Sequence, residues 1–196
     1  MRRTPATATS ASTPRIAPGD RNDVGILQWV ALKIGSRRVG GPVPNVMLTL
    51  ARHRGAFIPW LFYSSRLMPY GKLPAAHSEF MILRVAARCG SDYEQAHHQA
   101  LGRKAGLNQA IIDWAAEPVG STAPAPDGGK LDPARADLLR RATDELLDDR
   151  NLGDDIWAEL SAVYREAELI ELCLLVGHYA GLAATLIGGA VLVVRA

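Results

Sequence analysis

Residues 79–98 read Glu-Phe-Met-Ile-Leu-Arg-Val-Ala-Ala-Arg-Cys-Gly-Ser-Asp-Tyr-Glu-Gln-Ala-His-His. From Phe80 to Ala87 the run is apolar apart from Arg84, which predicts a mostly buried helix with Glu79 at its mouth. Gly90 ends that helix, and Ser91-Asp92-Tyr93-Glu94 has the pattern of a capping box that opens the next. On the second helix Glu94 and His98 stand four apart on one face, close enough to share a proton. A carboxylate and an imidazole held beside a buried wall suit general acid/base chemistry. The same residues have a plainer reading. Glu at the third position of a capping box ordinarily bonds the cap's own amide, and a Glu–His pair on an open helix face is a weak surface interaction.

Outward from this stretch, almost every segment carries helical periodicity. The pattern predicts helices over 20–38, 44–54, 57–68, 74–89, 91–104, 108–116, 132–149, 155–164 and 167–187, with Asn108 and Asp132 as caps and Pro133 at a first helical position. Residues 117–130, rich in proline and glycine, form the one clear internal loop. No strand alternation appears, and Val191 to Val194 is too short to build a sheet. The expectation is an all-α helical bundle. It places a disordered tail at 1–15 and a single domain at 16–196.

Composition narrows the function classes. The 196 residues are 48% apolar and 21% charged, with a formal net charge of +2, the balance of an ordinary globular chain. No long basic stretch marks a nucleic-acid binder. Cys89 and Cys173 lie far apart within apolar helical patterns, as buried free thiols do, and fit a cytoplasmic protein. No zinc spacing is present, so neither a metal nor another cofactor is expected. The first residues lack the apolar core of a secretory signal. Leu172 to Val194 is long and apolar enough to span a bilayer, but its glycines, His178 and Tyr179 fit a core helix or a subunit interface better than a membrane anchor.

Taken together, Leu73-Pro74 through Glu79, Ile82-Leu83-Arg84-Val85-Ala86, Cys89-Gly90-Ser91-Asp92-Tyr93-Glu94 and His97-His98 resemble the carboxymuconolactone decarboxylase and AhpD-like alkylhydroperoxidase superfamily. Leu48 to His53, Ala142-Thr143-Asp144-Glu145-Leu146 and Val176-Gly177-His178-Tyr179 extend the likeness over roughly 16–187. The resemblance implies an all-α, AhpD-like bundle that assembles into homo-oligomers, trimers or hexamers, with sites near subunit contacts. In the peroxidase branch a glutamate precedes a C-x-x-C followed by a histidine. Here the glutamate falls at Glu79 and the histidine at His98, while Ser91 and Glu94 stand where the two redox cysteines would be. A dithiol cycle needs an attacking and a resolving thiol, and this chain lacks that pair.

What remains is proton-transfer equipment, as in the decarboxylase branch: a cofactor-independent lyase or isomerase acting on a small carboxylated or enolisable compound. In this reading His98 shuttles the proton, Glu94 orients it and Glu79 is a second acid or base. A structural alternative for Glu79 is an acidic residue favouring the helix dipole. Tyr93, Ser91, Arg84 and His178 are the candidate substrate contacts. Arg84 would bind a substrate carboxylate or, equally, form a buried pair with a glutamate. Two other functions stay open: an antioxidant activity using Cys89 alone, and an oligomeric member without chemistry.

Overall fold

The computed structural model describes residues 14–39, 42–125 and 128–189; residues 1–13 of the tail expected at 1–15, Gly40, Gly41 and the segment at 191–194 lie outside them. All regular structure among the described residues is helical. The chain divides into two compact units. One takes the chain up to Ile58 together with its end from Leu186; the other is Pro59–Thr185.

In the first unit the helix expected over 20–38 is two helices, α1 (Arg21–Val24) and α2 (Ile26–Val39). Asp20 caps α1 by accepting from the amides of Asn22 and Asp23, and Asp23 returns the bond to the Asp20 amide. Gly25 then adopts φ 85°, a conformation that a Cβ would strain, and α2 begins at the next residue. α3 (Asn45–Leu50) follows, and α4 (Arg54–Leu67) leads into the second unit.

The second unit holds the core and every expected site residue. Its centre is α5 (Ala75–Cys89), in which all residues from Ser78 to Ala86 are buried. α5 packs against α6 (Asp92–Ala105), α7 (Gln109–Trp114) and α8 (Pro133–Asp148). α9 (Asp154–Ser161) and α10 (Glu166–Gly188) complete the unit's helices. Phe80, Met81, Ile82 and Leu83 of α5 meet Ile111, Ile112, Leu139 and Leu172 in one cluster. Truncating a side chain as large as Phe80 there costs about 3–5 kcal/mol.

The break between α5 and α6 sets the geometry of the site. Gly90 is left-handed at φ 71°. Its amide donates to Ala87 O at 3.2 Å, and the Ser91 amide donates to Ala86 O at 2.8 Å. These two bonds are the paired closure of a Schellman motif, and they fold α6 back along α5. The caps expected for α7 and α8 are present: Asn108 accepts from the Ile111 amide at 2.7 Å and Asp132 from the Arg135 amide at 3.0 Å.

α10 is long and apolar enough to cross a membrane by length and composition, and 39% of its most apolar window is buried within the protein. Leu172, Leu175 and Val176 enter the core, while Ile170 and Leu174 are exposed. The helix stops at Gly188, one residue beyond the end expected at 187.

Candidate functional site

α5 and α6 bring together two of the three candidate catalytic residues, though in a different pairing from the expected one. His98 Nδ1 lies 2.7 Å from Glu79 Oε2. Both are buried, Glu79 at 1% and His98 at 6% exposure. The expected Glu94–His98 hydrogen bond is absent. The pair instead crosses between helices, because α6 lies against α5 and turns His98 toward the face that carries Glu79. Glu79 is the fifth residue of α5, and no acidic residue occupies that helix's first turn, so a helix-dipole role does not account for it.

Glu94 is as buried as Glu79, at 1% exposure, yet neither carboxylate oxygen has a hydrogen-bond partner. The capping box does not form. Ser91 is the N-cap of α6 at φ −93°, ψ 87°, and its side chain makes no cap bond; in this geometry Glu94 turns inward instead of back to the Ser91 amide. Burial raises the Glu94 pKa, while the Ser91 hydroxyl nearby and the His98 imidazole pull it down. A buried carboxyl with no partner is costly and rare.

The surrounding side chains are aromatic. The Tyr179 ring stands edge-on to His98, with centroids 5.2 Å apart. Burial, with Glu79 and Glu94 adding to it, raises the Tyr179 pKa. Tyr93 is pushed up to about 12 by burial and by Glu94, and its ring stacks on exposed His97. The Cys89 thiol is half-buried and outside any disulfide; burial first, then Glu94, raises its pKa.

Arg84 is not available to a substrate carboxylate. Its Nε and Nη2 donate to the two carboxylate oxygens of Asp144 at 2.7 and 2.8 Å, and Nη1 donates to Ala115 O and Glu117 O at 3.1 and 2.6 Å. The expected buried pair thus exists with an aspartate. Its role is to pin the start of the internal loop, which Arg140 also holds through Glu117 O and Pro118 O at 2.7 and 2.5 Å. The forked guanidinium suits this joint task.

His178 lies outside the Glu79–His98–Glu94 cluster. Its Nε2 shares a hydrogen bond with Ser64 Oγ at 3.0 Å, its ring stacks on Trp60, and Tyr63 and Tyr179 meet it edge-on. Burial lowers its pKa. Trp60, Tyr63 and Ser64 had no signal in the sequence beyond an aromatic helix; Gln95, whose buried Oε1 also lacks a partner, was legible only as the residue four beyond Ser91.

Among the described residues no group of three or more His, Cys, Asp or Glu side chains is arranged to hold a metal ion. A separate groove of about 470 Å³ between the end of α8 and α10 is lined by Leu146, Arg150, Cys173 and Gly177 among others, and by none of the cluster residues.

No family model and no curated protein matches the sequence. Solved structures do match. A peroxidase-related protein from Silicibacter sp. TM1040 has a TM-score of 0.75 at 12% identity, covering 94% of this chain and 95% of its own. An AhpD-core peroxidase-related protein from Ralstonia eutropha JMP134 has a TM-score of 0.74 at 14% identity, with 93% and 94% covered. A candidate antioxidant defence protein AhpD from Agrobacterium tumefaciens has a TM-score of 0.56 at 15% identity, covering 72% of this chain and 92% of that one. The described residues therefore have the all-helical AhpD-like fold.

Proposed function

We propose that the protein is a cofactor-independent lyase or isomerase that moves a proton on a small enolisable compound. The observation that carries this reading is the buried 2.7 Å Glu79–His98 pair with the unpartnered carboxyl of Glu94 on the same helix as the histidine. Glu79 takes the orienting role: it fixes the imidazole through Nδ1, leaving Nε2 as the nitrogen that exchanges protons, and it stabilises the imidazolium once formed. In isomerisation, Nε2 accepts a proton from the carbon beside a carbonyl, the electron pair moves into the carbonyl, and the same proton returns at the far end of the conjugated system. In decarboxylation, CO2 departs, its bonding pair flows into the carbonyl, and the imidazolium delivers a proton to carbon. Arg84, engaged by Asp144 and two carbonyls, does not anchor a substrate carboxylate, so the enolisable class is better supported than the carboxylated one.

An antioxidant reading through Cys89 fits the peroxidase-related fold neighbours equally well. The raised pKa of Cys89 weighs against it, since the thiolate is the reactive form. Burial of Glu94 and His98 weighs against a scaffold without chemistry. Self-association, as trimers or hexamers, is part of the proposal and is supported by the exposed apolar side chains of Ile170 and Leu174 on α10.

The test is an unbiased metabolite screen with purified protein, read for CO2 release and double-bond migration, repeated with His98→Ala and Glu79→Gln. Full turnover by both variants on the substrate so identified sinks the mechanism. Peroxide treatment followed by mass spectrometry decides the alternative: an unmodified Cys89 removes it.

A further inference from the structure

Six buried side-chain polar atoms among the described residues lack any hydrogen-bond partner, and four of them belong to one turn: Ser91 Oγ, Glu94 Oε1 and Oε2, and Gln95 Oε1. Ser91 and Glu94 are 3% and 1% exposed. Positions 91, 94, 95 and 98 follow the i, i+3, i+4, i+7 spacing of a single helix face, so these oxygens share the face that carries His98. With Glu94 ionised, three of the four atoms only accept, and the fourth, the Ser91 hydroxyl beside Glu94, supplies the one donor among them. A buried group with more acceptors than donors carries a desolvation cost, which falls when a further donor enters.

The charges around it point the same way. His98 is matched by Glu79 at 2.7 Å. Arg84 and Arg88 are taken by Asp144 and Asp148, and Arg150 commits Nη1 to Leu146 O and Leu147 O at the end of α8. For Glu94, burial disfavours the charged form and outweighs the opposing pull of the His98 imidazole. A monocation entering the turn favours the ionised carboxylate, and the Glu94 proton passes to solvent as it binds. A hard metal ion fits less well: it seeks six or more oxygens, usually from several carboxylates, and this turn offers four from three residues.

We infer that the Ser91–Glu94–Gln95 turn recognises the N–H-bearing, positively charged end of a small organic amine. This names the substrate class of the site proposed above and rests on that reading. The three protons of a primary ammonium bond three of the four oxygens, and the rest of the molecule extends toward His98 Nε2, where the proton is moved. A carboxylate in the same place faces like charge and mostly acceptors. The two orphaned features, an unbonded carboxyl and an unused cap serine, then have one cause: both are held open for a donor that arrives with the ligand.

The experiment uses the full chain and three probes of similar size, ethylamine, ethanol and acetate, at constant ionic strength and near-neutral pH. Binding is read from the His98 imidazole resonances by NMR and from ligand-dependent Tm. Ethylammonium is expected to saturate, with ethanol weaker by about tenfold or more, the worth of a charge-assisted hydrogen bond, and acetate not binding. Glu94→Gln should weaken ethylammonium by about tenfold, and Ser91→Ala, which leaves the carboxylate in place, should weaken it by less. The inference is overturned if ethylammonium fails to saturate (water alone satisfying the turn), if acetate binds as well, if Glu94→Gln binds as wild type does, or if Mg2+ or Ca2+ saturates the same resonances in its place. Amine binding does not read turnover, so the two proposals fail separately. Loss of turnover in His98→Ala with no amine binding by the wild type removes this inference alone. Saturable amine binding with full turnover in both His98→Ala and Glu79→Gln removes the mechanism alone.

Discussion

His98 Nδ1 and Glu79 Oε2 meet at 2.7 Å across 19 residues of sequence, joining two helices through one hydrogen bond inside the core. The contact decides which ring nitrogen is free. With Nδ1 held by the carboxylate, Nε2 is the nitrogen that can face a substrate, and Glu79 both selects that tautomer and stabilises the charged ring. Replacing Glu79 by Gln keeps the shape and leaves an amide that can hold either tautomer. Glu79→Gln should lower kcat by roughly 10²-fold or more, within the range for a general acid/base contribution, with a smaller change in KM. A change confined to KM would assign Glu79 to binding and not to the proton transfer.

Glu94 gives a stability prediction with a definite sign. Burial raises its pKa, so the folded chain keeps this proton at a pH where the unfolded chain has lost it. Between the ordinary glutamate pKa and the raised value the folded state binds more protons, and the free energy of unfolding falls as pH rises through that window. Glu94→Gln has no such titration. The stability of wild type relative to the variant, from urea unfolding between about pH 4 and pH 8, should decline with rising pH across the window and level off beyond it. His178 has a lowered pKa and contributes the opposite slope, but it does so in both proteins and cancels in the difference. A difference that grows with pH would contradict an unpartnered Glu94.

The all-helical architecture, the cap residues at Asn108 and Asp132 and the break at Gly90 were legible in the sequence, because each depends on residues within a few positions of one another. Glu94 and His98 were legible as neighbours on one helix face for the same reason, and Glu79 entered through the resemblance of the surrounding motif. Their pairing was not. Spacing on one helix offers Glu94 as the partner of His98, and only the direction in which α6 returns along α5 turns the imidazole to Glu79. The Ser91–Glu94 motif misled in the same way: the residue types suit a capping box, but the Ser91 backbone geometry and the pull of the core turn Glu94 inward. Arg84 showed as an anomaly in an apolar run, and its Asp144 partner lies 60 residues away, beyond the reach of local pattern.

That Arg84–Asp144 pair makes a third prediction. Arg84 is 1% exposed and its donors satisfy both a carboxylate and two loop carbonyls. Arg84→Ala removes one partner from a buried ion pair and should cost about 3–5 kcal/mol. Arg88, also bonded to Asp144 at 2.6 Å, keeps the aspartate from being wholly unpaired and places the loss toward the lower end. A double-mutant cycle with Asp144→Asn should return a clear coupling energy. Arg84→Lys should also destabilise, since a single ammonium cannot span the fork. A folded Arg84→Lys that raised KM without losing stability would restore Arg84 as a substrate ligand.

Glycine substitutions separate what the chain's own packing requires from what an outside surface requires. A Cβ on Gly71 would strike the Glu171 carboxylate and approach Leu67 O to 2.5 Å. Glu171 cannot yield freely, because it accepts from the Lys72 and Leu73 amides at 2.6 and 3.0 Å. Gly71→Ala should therefore cost about 1–3 kcal/mol, the range for overpacking. Gly177 and Gly181 on α10 differ: a Cβ at either would meet nothing within 4 Å. In a helix interior alanine is better than glycine by about 1 kcal/mol, so nothing among the described residues explains two glycines there. The double variant Gly177→Ala, Gly181→Ala should raise Tm in dilute solution. If copies associate by laying a helix along this face, the added methyl groups hold them apart, and sedimentation at rising concentration should show weaker assembly than wild type. Stabilisation with unchanged assembly would place the subunit contact on another face of the protein.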